Sequence, residues 1–177
     1  KKFYKLYDRV EKYEGISDRM EEEIANYLTK ISEGELSILG SKRIKAMLNV
    51  VTDIESVADS CYNLAKTLVR KKDKKVWFDT PLRENLDQMM TLTRKAIVEM
   101  QKNLDHGYKN IDISKATELE EKINRFRTKL KKDHLKSVEK QEYSYQTGII
   151  YNDLYCECEK LADYAINVSE AIEEINH

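Results

Sequence analysis

Asp53-Ile54-Glu55-Ser56-Val57-Ala58-Asp59-Ser60-Cys61-Tyr62-Asn63-Leu64-Ala65 decides how the chain is read, because it returns 104 residues later. The second copy is Glu157-Cys158-Glu159-Lys160-Leu161-Ala162-Asp163-Tyr164-Ala165-Ile166-Asn167-Val168-Ser169. Glu55, Asp59 and Asn63 recur in one register as Glu159, Asp163 and Asn167, with Ala58 matched to Ala162. At the helical advance of about 100° per residue, each trio forms a narrow polar stripe. Beside the first lies an apolar face of Ile54, Val57, Cys61, Leu64 and Leu68, and beside the second one of Leu161, Ala165, Val168 and Ile172. The repeat therefore predicts two long amphipathic helices of common origin.

The composition agrees with a helical chain. Five Gly and one Pro in 177 residues leave few breakers, and 36% charged residues with a net charge of −1 suit solvated helices. That balance is not the basic footprint of a nucleic-acid binder. No run of 18 apolar residues occurs, so a membrane span is not expected. Three Cys, with Cys156 and Cys158 on different sides of one helix, do not pair neatly and point to a reducing, cytoplasmic compartment.

Taken in order, Phe3, Leu6, Tyr7, Val10 and Tyr13 already have helical spacing, with neither an initiator Met nor a cap before them. The expectation is a piece of a longer protein whose upstream part can hold membrane helices. Gly15 is expected to loosen this first helix before it resumes through Met20, Ile24, Tyr27, Leu28 and Ile31. Ser37 reads as the N-cap of a second helix, on the order of 50 Å long, that ends in Arg70-Lys71-Lys72-Asp73-Lys74-Lys75. Those cations favour a helix C-terminus, although they could also touch anionic headgroups. Val76 to Pro81 interrupts the chain, with Asp79 or Thr80 capping a third helix over Leu82, Leu86, Met89, Met90 and Met100 to about Gly107. Trp77-Phe78 reads as a plug between repeats or an exposed docking point. Asp112 or Ser114 starts a fourth helix, and Gln141 to Gly148 leads into a fifth.

Glu22-Glu23-Ile24 and Tyr27 correspond to Glu121-Lys122-Ile123 and Phe126. The fourth and fifth helices thus repeat the first and second, and the first copy lacks an opening helix. The expected fold is all-α, an antiparallel bundle of spectrin-like three-helix repeats, with a partial repeat at 1–76 and a complete one at 77–177. The missing helix should leave an apolar groove for a second copy of the chain, hence an expected homodimer.

Asp-Ile-Glu-Ser-Val-Ala-Asp at Asp53–Asp59 resembles the PhoU family signature, Asp-Leu-Glu-Arg-Ile-Gly-Asp followed by a downstream Asn. Ser56 and Lys160 stand where the family has Arg, and Ala58 and Ala162 where it has Gly. Tyr27-Leu28 and Glu35-Leu36-Ser37 make the chain most similar to the PhoU-like C-terminal domains of bacterial sodium/phosphate cotransporters. The resemblance implies a non-catalytic regulatory domain of phosphate transport, held under the cell membrane by a transporter in the same polypeptide. It also implies metal ions held by carboxylates, with Asp53, Glu55, Asp59, Glu157, Glu159 and Asp163 as candidates and Asn63 and Asn167 as outer residues. Hard oxygen donors suit Mg²⁺, Mn²⁺, Ca²⁺ or iron.

Other readings compete with this one. The acidic stripes can be a solvated edge paired with Lys66 and Arg70, in a scaffold bundle that binds neither metal nor phosphate. Glu174-x-x-His177 has the spacing of a di-iron ligand pair, but occurs once, and His106 and His134 lack its acidic partner. The Cys residues have no His in zinc spacing, and no Gly-rich phosphate loop is present.

Overall fold

The computed structural model describes residues 2–106 and 111–175. Five helices make up the fold: α1 Lys2–Ser32, α2 Ile38–Asp73, α3 Thr80–Asp105, α4 Ser114–Glu139 and α5 Tyr145–Glu174. Short connections between successive long helices make an antiparallel bundle. α3, α4 and α5 pack mutually, α2 packs along α5, and α1 packs on α2 alone.

Sequence explains the hierarchy. α5 has apolar residues on nearly every side and buries, among others, Ile150, Tyr151, Leu154, Tyr155, Leu161 and Ile172. It is the central post, and the core forms around it from Leu86, Met89, Ile123 and Leu130 together with Ile54, Val57, Leu64 and Leu68 of α2. α1 buries only Leu28. Side-chain hydrogen bonds also tie it to α2: Tyr7 Oη donates to Tyr62 Oη at 3.2 Å, Tyr62 donates to Glu11 at 2.8 Å, and Thr52 donates to Glu21 at 2.9 Å.

The expected caps of α2 and α3 are present. Ser37 Oγ accepts from Gly40 N–H at 3.0 Å, and Asp79 Oδ1 accepts from Leu82 N–H at 3.1 Å ahead of Pro81. Ser114 is the first residue of α4, and Asp112 Oδ1 accepts its N–H at 2.9 Å. The fifth helix has a cap the pattern left unassigned, Ser144, whose Oγ accepts from Thr147 N–H at 3.1 Å. Gly148 in its first turns has a packing reason. A Cβ there would lie 3.1 Å from His134 Cε1 and 3.2 Å from Tyr143 Cε2, rings that stack beside it.

Several expectations change. α1 runs unbroken through Gly15, since one helical Gly costs only about 1 kcal/mol in a helix of 31 residues. Met90 is exposed while Met89 is fully buried, because neighbours in a helix point about 100° apart. Trp77 is 74% exposed with Arg83 over its ring, and Phe78 is the buried member, edge-on to Tyr151 at 6.0 Å. Gly107 and His177, named as a helix stop and a di-iron ligand, lie outside the described residues.

Candidate functional site

The two acidic helices lie side by side and antiparallel. Asp53 of α2 bonds Asn167 of α5, and Arg70 near the end of α2 pairs with Asp153 near the start of α5. Between them, Asn63 and Glu157 share a groove. Asp53 and Asn63 become Glu157 and Asn167 on shifting by 104 residues, so the repeats meet about an approximate two-fold axis near Ala58 and Ala162. Two open grooves flank that axis. One, of about 530 Å³, carries Lys66, Arg70 and Lys160 beside Asn63, Asp153 and Glu157. Its counterpart, of about 380 Å³, carries Asp53, Asn167, Glu170 and Glu174. The pseudo-symmetry is preserved in shape and broken in charge.

The remaining four carboxylates face outward from this seam, one pair into each hairpin. Glu55 is surrounded by Asp59, Glu21 and Asp18, the last two from α1; burial, then these neighbours, raises its carboxyl above the ordinary range. Asp59 accepts from Asn63 Nδ2 at 3.0 Å. In the other hairpin Asp163 stands with Glu159 and with Glu120 of α4. Burial, followed by the charges of Glu159 and Glu120, pushes Asp163 up to about 6. Its Oδ1 is buried without a hydrogen-bond partner.

Glu21 and Glu120 escape the motif-based list, although a signal for them exists. They are 99 residues apart, the same shift that relates Ile24 to Ile123, so each repeat adds one carboxylate from its preceding helix. Arg127 is the second omission. It donates through Nε at 2.9 Å and Nη2 at 2.6 Å to Glu159 Oε1 and lies close enough to Asp163 to lower its pKa. At the same shift the first repeat has Leu28, which is buried and brings no cation. The two acidic patches are thus alike in carboxylates and unlike in counter-charge.

Cations are not where the salt-bridged-edge reading puts them. Lys66 lies over the Tyr62 ring at 4.4 Å, and Arg70 reaches across to α5. Each is more than one turn from Asp59, beyond the i,i+4 neighbourhood. Glu157 takes Lys160 at 3.6 Å. Among the described residues no three His, Cys, Asp or Glu side chains gather so as to hold a metal ion. Glu55 with Asp59 and Glu159 with Asp163 occupy separate hairpins, so the carboxylates of the two repeats do not converge on one centre. All three cysteines are free thiols; burial pushes Cys158 up to about 12, which leaves it inert as a nucleophile.

Asp163→Asn is expected to stabilise the protein at pH 7. A carboxyl raised from 3.8 to about 6 favours the folded state while protonated and loses that advantage as pH climbs between those values. The gain should be about 1 kcal/mol after screening at this half-exposed position. Urea titrations at pH 4 and pH 7 check it: the gain belongs to pH 7 and should vanish at pH 4.

Fold and site define a class, an all-helical bundle whose two central antiparallel helices carry a duplicated carboxylate motif. Residues 4–68, the α1–α2 hairpin up to Leu68, match a protein-family model, the PhoU domain. No curated protein and no solved structure matches the chain. None of the helices among the described residues is long and apolar enough to cross a membrane.

Proposed function

We propose that this chain is a non-catalytic, PhoU-like regulatory domain of phosphate transport that works through helix-mediated contacts with a protein partner. The observation that carries the reading is the match of residues 4–68 to the PhoU domain, a span that includes the acidic helix duplicated as α5. The finer form places it in the cytoplasm, in one polypeptide with a sodium/phosphate cotransporter. In support, the thiols are free, and the two grooves beside the central axis differ in charge and so offer a partner two distinct ends. The test is phosphate uptake in cells of the source organism with the coding region for residues 1–177 intact or removed in frame. Uptake that no longer responds to external phosphate supports the proposal, and an unchanged response removes it.

A second reading, a scaffold bundle whose carboxylates are structural, draws on the Arg127–Glu159 pair and the Asn63–Asp59 bond. Those bonds satisfy charges that a ligand would otherwise take. Bound metal at Asp53, Glu55, Asp59, Glu157, Glu159 and Asp163 is a subordinate proposal, addressed by elemental analysis of protein purified without chelator. Metal present in the wild type and lost when Glu55, Asp59, Glu159 and Asp163 become Ala supports it. Metal absent from both samples is the expected result for the scaffold and for a metal-free regulator.

A further inference from the structure

An open groove of about 460 Å³ runs between α3 and α4. Its α3 wall carries Arg94, Lys95 and Lys102, and its α4 wall Lys115 and Lys122. Five cations against two carboxylates, Glu99 and Glu118, leave a net charge of +3 here, in a chain whose total is −1. Both carboxylates are already taken. Glu99, only 9% exposed, accepts from Lys115 at 2.9 Å and Lys102 at 3.4 Å, and Glu118 pairs with Lys122. Among the described residues Arg94 and Lys95 have no carboxylate partner. The cations stand in two tiers. Lys102 and Lys115 meet at Glu99, while Arg94, Lys95 and Lys122 form the other tier. Lys95 and Lys102 are seven residues apart, as are Lys115 and Lys122, which separates the tiers by about 10 Å, two helical turns. Midway between them lies an apolar floor, Val98 of α3, 44% exposed, and Leu119 of α4. The first repeat does not carry this charge: shifted back by 99 residues, Lys115 and Lys122 fall on Ile16 and Glu23.

We infer that this groove is the seat of an acidic amphipathic helix from a partner protein, with Asp or Glu on both sides of a narrow apolar stripe. Two helices side by side with an apolar floor accept a third helix along the groove. Cations on both walls call for carboxylates on both flanks of that helix. The tier spacing sets their period: carboxylates at i and i+7 meet both tiers, while apolar side chains at i+3 or i+4 rest on Val98 and Leu119. Buried Glu99 holds Lys102 and Lys115 in place before the partner arrives, which lowers the ordering cost of binding. Other polyanions fit less well. Among the described residues no aromatic ring lines the groove for a base to stack on, and a concave seat offers its floor to a helix and not to the plane of a bilayer. The inference rests on the reading of the chain as a domain that works through helix-mediated protein contacts, and it names the chemistry of that partner.

Fluorescence anisotropy with the 177-residue chain tests it. The probe is a dye-labelled synthetic helix of about 18 residues with Leu along one stripe and Glu at the seven-residue spacing on both flanks, beside a scrambled peptide of equal composition. The wild type should bind the striped peptide with a Kd of about 10 to 100 µM and the scrambled one at least about tenfold more weakly. Arg94→Glu with Lys95→Glu should weaken the striped peptide by at least about thirtyfold, and Val98→Glu by at least about tenfold. Lys74→Glu with Lys75→Glu, at the basic end of α2 and outside the groove, should leave its affinity within about twofold. The substituted side chains are exposed, and circular dichroism melts verify that the fold is kept. Equal affinity for the two peptides, indifference to the Arg94 and Lys95 changes, or an equal loss on changing Lys74 and Lys75 would each overturn the inference. So would tighter binding of oligouridylate or of phosphatidylglycerol vesicles through Arg94 and Lys95, which would give the groove to nucleic acid or lipid. The uptake test judges phosphate regulation separately. A chain that binds neither peptide yet still sets the uptake response overturns this inference alone, whereas striped-peptide binding with an unchanged uptake response supports it and removes the phosphate reading.

Discussion

Ile123→Ala should cost about 3 kcal/mol of stability, whereas Ile24→Ala, the same substitution at the repeat-related position, should cost less than about 1 kcal/mol. Ile123 is fully buried between α4 and the core, and Ile24 is 37% exposed on α1. Truncating Ile123 removes buried methylenes and leaves a cavity in a close-packed interior; truncating Ile24 exposes little that water does not already reach. Urea unfolding of both variants gives the comparison directly. Equal costs would mean that α1 is held in an interior like that of α4.

The same pair of isoleucines marks what sequence can and cannot reveal. Ile24 and Ile123 carry identical local patterns, so periodicity assigns both to an apolar helix face, and both are in helices. Which face finds a cover depends on the helices around it, and that is tertiary information. Helix existence was legible because Ser37, Asp79 and Pro81 mark starts and few other breakers intervene. Gly15 misled because an isolated glycine weakens a helix without ending it. At the candidate site, motif spacing located Glu55, Asp59, Glu159 and Asp163 but suggested that they meet, which the antiparallel seam prevents. The two-fold axis turns one stripe toward α1 and the other toward α4. Glu120 and Arg127 approach from a different helix, so no spacing within α5 could name them; only the shift of 99 residues between repeats could point to Glu120.

Arg127→Ala should lower stability by about 2 kcal/mol at neutral pH, and the loss should shrink in acid. Glu159 is 14% exposed at its side chain and receives both guanidinium bonds, so removing Arg127 leaves a nearly buried carboxylate without its counter-charge. Arg127 is also the cation that holds Asp163 down against burial and the charges of Glu159 and Glu120. Without it, Asp163 rises further above its unfolded value, and an acid so raised destabilises the fold more as pH increases through the folded-state pKa. Near pH 4 Asp163 is protonated in the folded protein and that part of the cost disappears. Chemical denaturation at pH 4.5 and pH 7.5 should therefore show a larger deficit at the higher value. Adding Asp163→Asn to Arg127→Ala should recover the pH-dependent part and leave the cost of the lost Glu159 bonds. A deficit identical at both pH values would assign the role of Arg127 to packing of its aliphatic stem against α5, with no part in balancing the acidic patch.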